Sequence, residues 1–90
     1  MTIYIVTMQR DGREGHHYGI GTYTDLAKAY IDGIDHGRFH RAGKYEPFIE
    51  ECIVDSNHLK EVPLNVAFNF AKMRHPEKFD DRGNLKEEEK

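Results

Sequence analysis

The chain has 90 residues and a formal net charge of −3, with 13 Lys and Arg against 16 Asp and Glu. This length allows one small domain and excludes a multidomain enzyme. Charged residues make up 32% of the chain, the apolar set makes up 38%, and there is one cysteine. The composition therefore excludes a membrane protein, a disulfide scaffold and a strongly basic protein that coats DNA.

Two strands joined by a turn are predicted in the first 23 residues. Residues 2–8 are β-branched and aromatic and are apolar on both alternating faces, which is typical of a central strand covered on both sides. Asp11 and Gly12 form a turn pair, and residues 17–23 alternate again, so we expect a hairpin. Gly19 and Gly21 fall on one face of the second strand and predict close packing over it.

A first helix is predicted over residues 25–36. Thr24 is a candidate cap, and the negative charge of Asp25 complements the positive end of the helix. Gly37 is expected to end the helix in the left-handed conformation that glycine adopts at low cost. Apolar residues recur at spacings of three and four and predict one buried stripe, formed by Leu26, Ala27, Tyr30, Ile31 and Ile34.

The remaining segments predict a loop, a strand, a helix and a tail. Residues 36–45 are expected to form an exposed loop, and residues 46–54 a third strand whose Pro47 indicates a sheet edge. A second helix begins at Pro63 and ends before Pro76. Beyond it, four basic and six acidic residues surround two large apolar ones, which predicts a solvated, flexible tail over residues 76–90.

We therefore predict an α+β fold with ββαβα connectivity, in which a three-stranded antiparallel sheet has the order 2-1-3 and carries two helices. The domain covers residues 1–75, and the charged tail covers residues 76–90. Phe68 and Phe70 lie about 200° apart on the second helix, so one docking surface cannot cover both. This helix covers the other sheet face, lies beside the first helix, or meets a second copy of the chain.

Four segments together resemble small uncharacterised ββαβ proteins of phages and mobile elements. They are residues 4–6 (Tyr-Ile-Val), 18–23 (Tyr-Gly-Ile-Gly-Thr-Tyr), 24–30 (Thr-Asp-Leu-Ala-Lys-Ala-Tyr) and 48–50 (Phe-Ile-Glu). The resemblance covers residues 2–55 and assigns no functional residue. It implies a short accessory protein of the host cytoplasm, which binds and modulates a host protein such as a component of a defence system.

The candidate binding residues are basic and aromatic. Residues 36–45 contain no acid, and large aromatic and arginine side chains are the usual anchors of interfaces. We therefore expect steric occlusion of a host protein that has an acidic surface. The predicted contact residues are the basic and aromatic side chains of this segment and two phenylalanines of the second helix: Arg38, Phe39, Arg41, Lys44, Tyr45, Phe68 and Phe70.

Two other functions fit the same residues. Bases stack on aromatic rings while cations meet phosphates, so residues 36–45 also suit RNA or single-stranded nucleic acid. The second helix could instead seal a structural homodimer. His36 and His40 are four residues apart, but Gly37 interrupts the helix between them, so no metal site is predicted.

An enzyme is the least favoured class. A core this small leaves little apolar surface for a pocket, so we expect no catalytic residue and no cofactor. Cys52 is expected to be a small apolar side chain in a reducing compartment. The absence of a long apolar run and of a signal-peptide pattern predicts a cytoplasmic protein without membrane contact.

Overall fold

A four-stranded antiparallel sheet with two helices packed on it forms the described part of the chain. The computed structural model describes residues 1–10, 17–40, 45–55 and 57–86, with the backbone alone at positions 39 and 40. The strands are β1 (Thr2–Arg10), β2 (His17–Tyr23), β3 (Tyr45–Ile53) and β4 (Leu59–Val62). The helices are α1 (Leu26–Asp35) and α2 (Leu64–Arg74). The fold is α+β with ββαββα connectivity.

The predicted sheet is correct in its centre and incomplete at one edge. Its order is β2-β1-β3-β4, so the position of β1 between β2 and β3 is confirmed, and the count of three strands is wrong. β4 is short, and all but its last residue are exposed, so it lacks the apolar alternation that predicts a strand. It pairs with β3 only from Ile49 to Cys52, which leaves Pro47 beyond its end.

The cross-strand register assigns each side chain to a face. Val6, Ile49 and Val62 lie side by side across β1, β3 and β4, and all three are buried. Alanines from both helices join this row in one cluster, so α2 lies beside α1 on the same sheet face. The cluster consists of Val6, Met8, Ala27, Ala29, Tyr30, Ile49, Val62, Ala67, Ala71, Phe79 and Leu85.

A bulge separates the two glycines of β2. The register shifts between Val6 and Thr7, so that Gly21 lies opposite Val6 and Gly19 opposite Thr7. The two glycines therefore lie on opposite faces, contrary to the prediction. A Cβ at Gly19 would find no atom within 4 Å, so nothing packs closely over it.

Helix α1 approaches β3 closely through glycine. Its cap is Asp25 rather than Thr24, because the Asp25 carboxylate accepts a hydrogen bond from the Ala27 N–H at 2.9 Å. The chain does not end the helix at Gly37 but continues through a π-helical turn, His36–His40, where an exposed loop was predicted. A Cβ at Gly33 would lie 2.7 Å from the Cβ of Pro47, and one at Gly37 would collide with the carbonyl oxygen of Tyr45.

The segment predicted as a solvated tail packs on the core as far as Lys86. A 3-10 turn, Pro76–Lys78, leads into a bridge between Phe79 and Leu85, which are 5% and 8% exposed. The Asp80 carboxylate accepts the backbone N–H groups of two residues in the intervening turn, each at 2.9 Å. The packed region therefore extends beyond the boundary predicted at residue 75. Residues 87–90 lie outside the described part.

We expect Gly37→Ala to lower the free energy of unfolding by about 1–3 kcal/mol, because the added methyl group overpacks against backbone that cannot rotate away. This cost exceeds the gain of up to about 1 kcal/mol from replacing glycine in a helix. Gly19→Ala is the control and should change stability by less than about 0.5 kcal/mol. Urea denaturation measures both, and a Gly37→Ala variant as stable as the parent would contradict the close approach.

Phe79→Ala tests whether the 76–86 segment belongs to the folded domain. Loss of a buried phenylalanine should cost about 3–5 kcal/mol. Met73→Ala provides the control, since Met73 is 72% exposed on α2 and should change stability by less than about 0.5 kcal/mol. Equal stabilities of the two variants in thermal denaturation would show that the segment is a tail outside the fold.

Candidate protein-binding surface

The structure describes one of the three basic side chains that are predicted to contact a partner. Arg38 is exposed, and its guanidinium donates a hydrogen bond to the Asn84 side-chain oxygen at 3.0 Å. Tyr45 is half-buried and packs edge-on against Tyr18, with ring centroids 5.3 Å apart. Arg41, Lys44 and the Phe39 side chain lie outside the described residues. Their role in binding stays a prediction.

The two predicted phenylalanines of α2 lie in different surroundings, in keeping with their angular separation. Phe68 packs edge-on against Phe79 at 5.6 Å between ring centroids, and its centroid lies 6.0 Å from that of Tyr30. Its half-buried ring therefore adjoins the core. Phe70 is also half-buried, and the Arg74 guanidinium lies 5.5 Å from its ring centroid.

The sheet face opposite the helices carries apolar side chains that no other described element covers. We call it the open face. Both helices and the 76–86 segment join the core cluster on the other face, and no open-face residue belongs to that cluster. The strand register assigns to the open face Ile3, Ile5, Thr7, Gln9, His17, Gly19, Thr22, Glu46, Phe48, Glu50, Cys52, Leu59 and Glu61.

Strand β1 is the origin of this apolar character. An antiparallel sheet with one solvated face normally alternates apolar and polar residues. β1 instead has Val6 and Met8 in the core and Ile3 and Ile5 on the open face. The sequence predicted cover on both sides of this strand, and among the residues that the structure describes only one side is covered.

The apolar surface continues around one end of the sheet. Met1 is 83% exposed, Ile53 57%, Val54 43% and Leu59 54%. The Val54 N–H donates to the Met1 carbonyl oxygen at 2.9 Å, and Leu59 lies opposite Cys52, so these residues lie at the same end of the sheet. Leu59 is on the open face, whereas the register places Ile53 opposite Thr2 on the helix side. We call Met1, Ile53, Val54 and Leu59 the apolar end. Contiguous exposed apolar patches mark sites of interaction.

The charges on the open face are of one sign. Glu46, Glu50 and Glu61 lie there, and no register position of this face is Lys or Arg. Glu50 and Glu61 are direct cross-strand partners, so two carboxylates share one side of the sheet. Like charges directly opposite each other destabilise a strand pair. The open face is therefore apolar and acidic.

A shallow groove between β2 and α1 is lined by several titratable groups, and among the described residues this arrangement most resembles a reaction centre. The Tyr18 hydroxyl lies 3.3 Å from the Nε2 atom of His36. Burial, followed by the adjacent carboxylate of Asp32, raises the pKa of Tyr23 to about 12. A phenol with this pKa stays protonated at neutral pH and is poorly matched to general-base catalysis.

The described residues hold no group of three or more His, Cys, Asp or Glu side chains that could bind a metal ion. None of their helices is long and apolar enough to span a membrane. Comparison with protein-family models, curated proteins and solved structures finds no match to this chain.

Asp32→Asn should lower the pKa of Tyr23 from about 12 towards 10, because it removes the carboxylate that opposes the phenolate. Ultraviolet absorbance during an alkaline titration measures this shift. The folded pKa is above the unfolded value, so the stability linked to Tyr23 is present below pH 10 and is lost as the pH rises from 10 to about 12. Asp35→Asn is the control, and an unchanged titration in Asp32→Asn would contradict the assignment.

Proposed function

We propose that this protein is a non-catalytic binding protein that docks another protein on the open face and the apolar end of its sheet. The observation that supports the proposal is the apolar row of β1 that no described residue covers. Ile3 and Ile5 are half-buried by neighbouring strands, and a docked partner removes their remaining surface from water. Burial of apolar surface is the main driving force of such association.

The dimensions of this surface suit a macromolecular partner. A strand spacing of about 4.8 Å and a rise of about 3.3 Å per residue make the open face roughly 19 Å by 23 Å, or roughly 440 Å². The apolar end extends this area towards the roughly 800 Å² that each partner contributes to a stable interface. Leu59, which is 54% exposed on the edge strand β4, lies where the two surfaces meet, and we take it as the anchor.

The partner that the resemblance implies is a host protein. The resemblance to small uncharacterised ββαβ proteins of phages and mobile elements implies an accessory role, in which the protein binds a host component such as part of a defence system. In this proposal the protein works in the host cytoplasm and blocks a functional surface of its target by steric occlusion. No reaction is required, because occupation of the surface is itself the effect.

The basic segment 36–45 stays the predicted second contact, directed at an acidic part of the partner. Arg38 is exposed and its guanidinium is positioned by Asn84, so it contributes to a defined surface. Binding of RNA or single-stranded nucleic acid by this segment, and a homodimer through α2, are the alternatives. Each has a variant that separates it from docking on the sheet.

Leu59→Asp should weaken binding of the partner at least about tenfold, because an exposed apolar anchor is replaced by a charge. The partner is identified by affinity capture from a host lysate, and binding is then measured by calorimetry with both proteins purified. Met73→Asp is the matched control: Met73 is also a large exposed apolar residue, but it lies on α2. Circular dichroism checks that both variants fold.

The other outcomes assign the function elsewhere. Loss of binding in Met73→Asp but not in Leu59→Asp moves the interface to α2. Loss only in the combined variant Arg38→Glu, Arg41→Glu, Lys44→Glu moves it to the basic segment. A labelled single strand that binds the parent protein with a steep salt dependence replaces the proposal with nucleic-acid binding.

A further inference from the structure

We infer that the segment docked on the open face is a basic amphipathic helix of the partner protein. This inference rests on the proposed function and adds the chemistry of the partner. It follows from two properties of the open face: its apolar band, which has the width of a helix, and its carboxylates.

The apolar band runs along the two inner strands. On β1 it consists of Ile3 and Ile5, and on β3 of Phe48 and Cys52. Ile3 pairs with Cys52, whereas Ile5 pairs with Glu50 and Phe48 pairs with Thr7. Two adjacent strands and their side chains make a band about 10 Å wide, which matches the 10–12 Å diameter of a helix. A helix laid along this band would give the sheet the kind of cover that α1 and α2 provide on the other face.

The carboxylates specify the charge of that helix. Glu50 and Glu61 face each other across β3 and β4, with Cβ atoms of such pairs about 5 Å apart, and Glu46 lies further along β3. Within the chain itself this arrangement is repulsive. A Lys or Arg side chain placed between Glu50 and Glu61 converts the repulsion into two attractive contacts, which favours a cationic partner over a neutral one.

The same charges disfavour a second copy of this chain on the open face. A symmetric face-to-face dimer brings the acidic residues of both copies into one interface with no open-face Lys or Arg to offset them. Arg10 and Lys60 cannot compensate, because the register places both on the helix side of the sheet.

The test uses two synthetic amphipathic peptides of about 18 residues, which form about 27 Å of helix. Both have leucine on one helix face; the other face is lysine in one peptide and glutamine in the other. Fluorescence anisotropy measures their binding to the full chain. We expect the Leu/Lys peptide to bind at least about tenfold more tightly than the Leu/Gln peptide.

The combined variant Glu50→Gln, Glu61→Gln should lose about tenfold in affinity for the Leu/Lys peptide. Glu77→Gln, Asp81→Asn removes the same net charge from exposed positions on the helix side and is the matched control. The first variant relieves a like-charge pair, so it should be at least as stable as the parent, and thermal denaturation verifies this.

Three results would overturn the inference. They are equal weakening by both charge variants, equal affinity for both peptides, and a dimer in sedimentation that Leu59→Asp dissociates. None of these results alone contradicts the proposed function. That function is tested separately, by whether Leu59→Asp loses binding of the purified partner. Conversely, a partner unaffected by Leu59→Asp removes the proposed function even if the Leu/Lys peptide binds.

Discussion

The burial of one row of side chains beneath two helices determines which face of the sheet is left for other contacts. Val6, Ile49 and Val62 align across three strands, and the small residues of α1 and α2 pack over them. A shift of one residue in the pairing would turn this row outwards and bring Ile5, Glu50 and Glu61 under the helices. The two carboxylates make that alternative costly, so they help to select the observed register.

The close approach of α1 to β3 depends on the absence of two side chains. Gly33 lies against Pro47, and Gly37 lies against the backbone of Tyr45. This contact holds the helix over β1 and β3, while α2 and the 76–86 segment complete the same layer through Ala67, Ala71 and the ring of Phe79. All described elements that cover the sheet therefore lie on one face, and the apolar row of Ile3 and Ile5 remains available to a partner.

The open face combines features that conflict within the isolated chain. Apolar residues at the centre of the sheet favour a partner that buries them. Glu50 and Glu61, which face each other, disfavour any partner that brings no positive charge. A basic amphipathic helix satisfies both requirements, and a second copy satisfies only the first. A basic helix on the open face differs from the acidic partner that residues 36–45 alone predict. The two contacts are compatible if the partner presents a basic segment to the sheet and an acidic one to the basic segment.

The sequence by itself determined the α+β class, the hairpin, the central place of β1 and the approximate extent of both helices, because these depend on local periodicity and turn residues. It did not determine β4, where Leu59–Val62 carries no alternation, or the π-helical turn after α1, where Gly37 serves close packing instead of a left-handed end. The sequence did not predict the packing of Phe79 and Leu85, because the charged residues around them indicated a solvated tail. Only the tertiary structure decided that both helices lie on one face, since the broad apolar arc of α2 is equally compatible with either side of the sheet. That choice leaves the open face as the proposed binding surface.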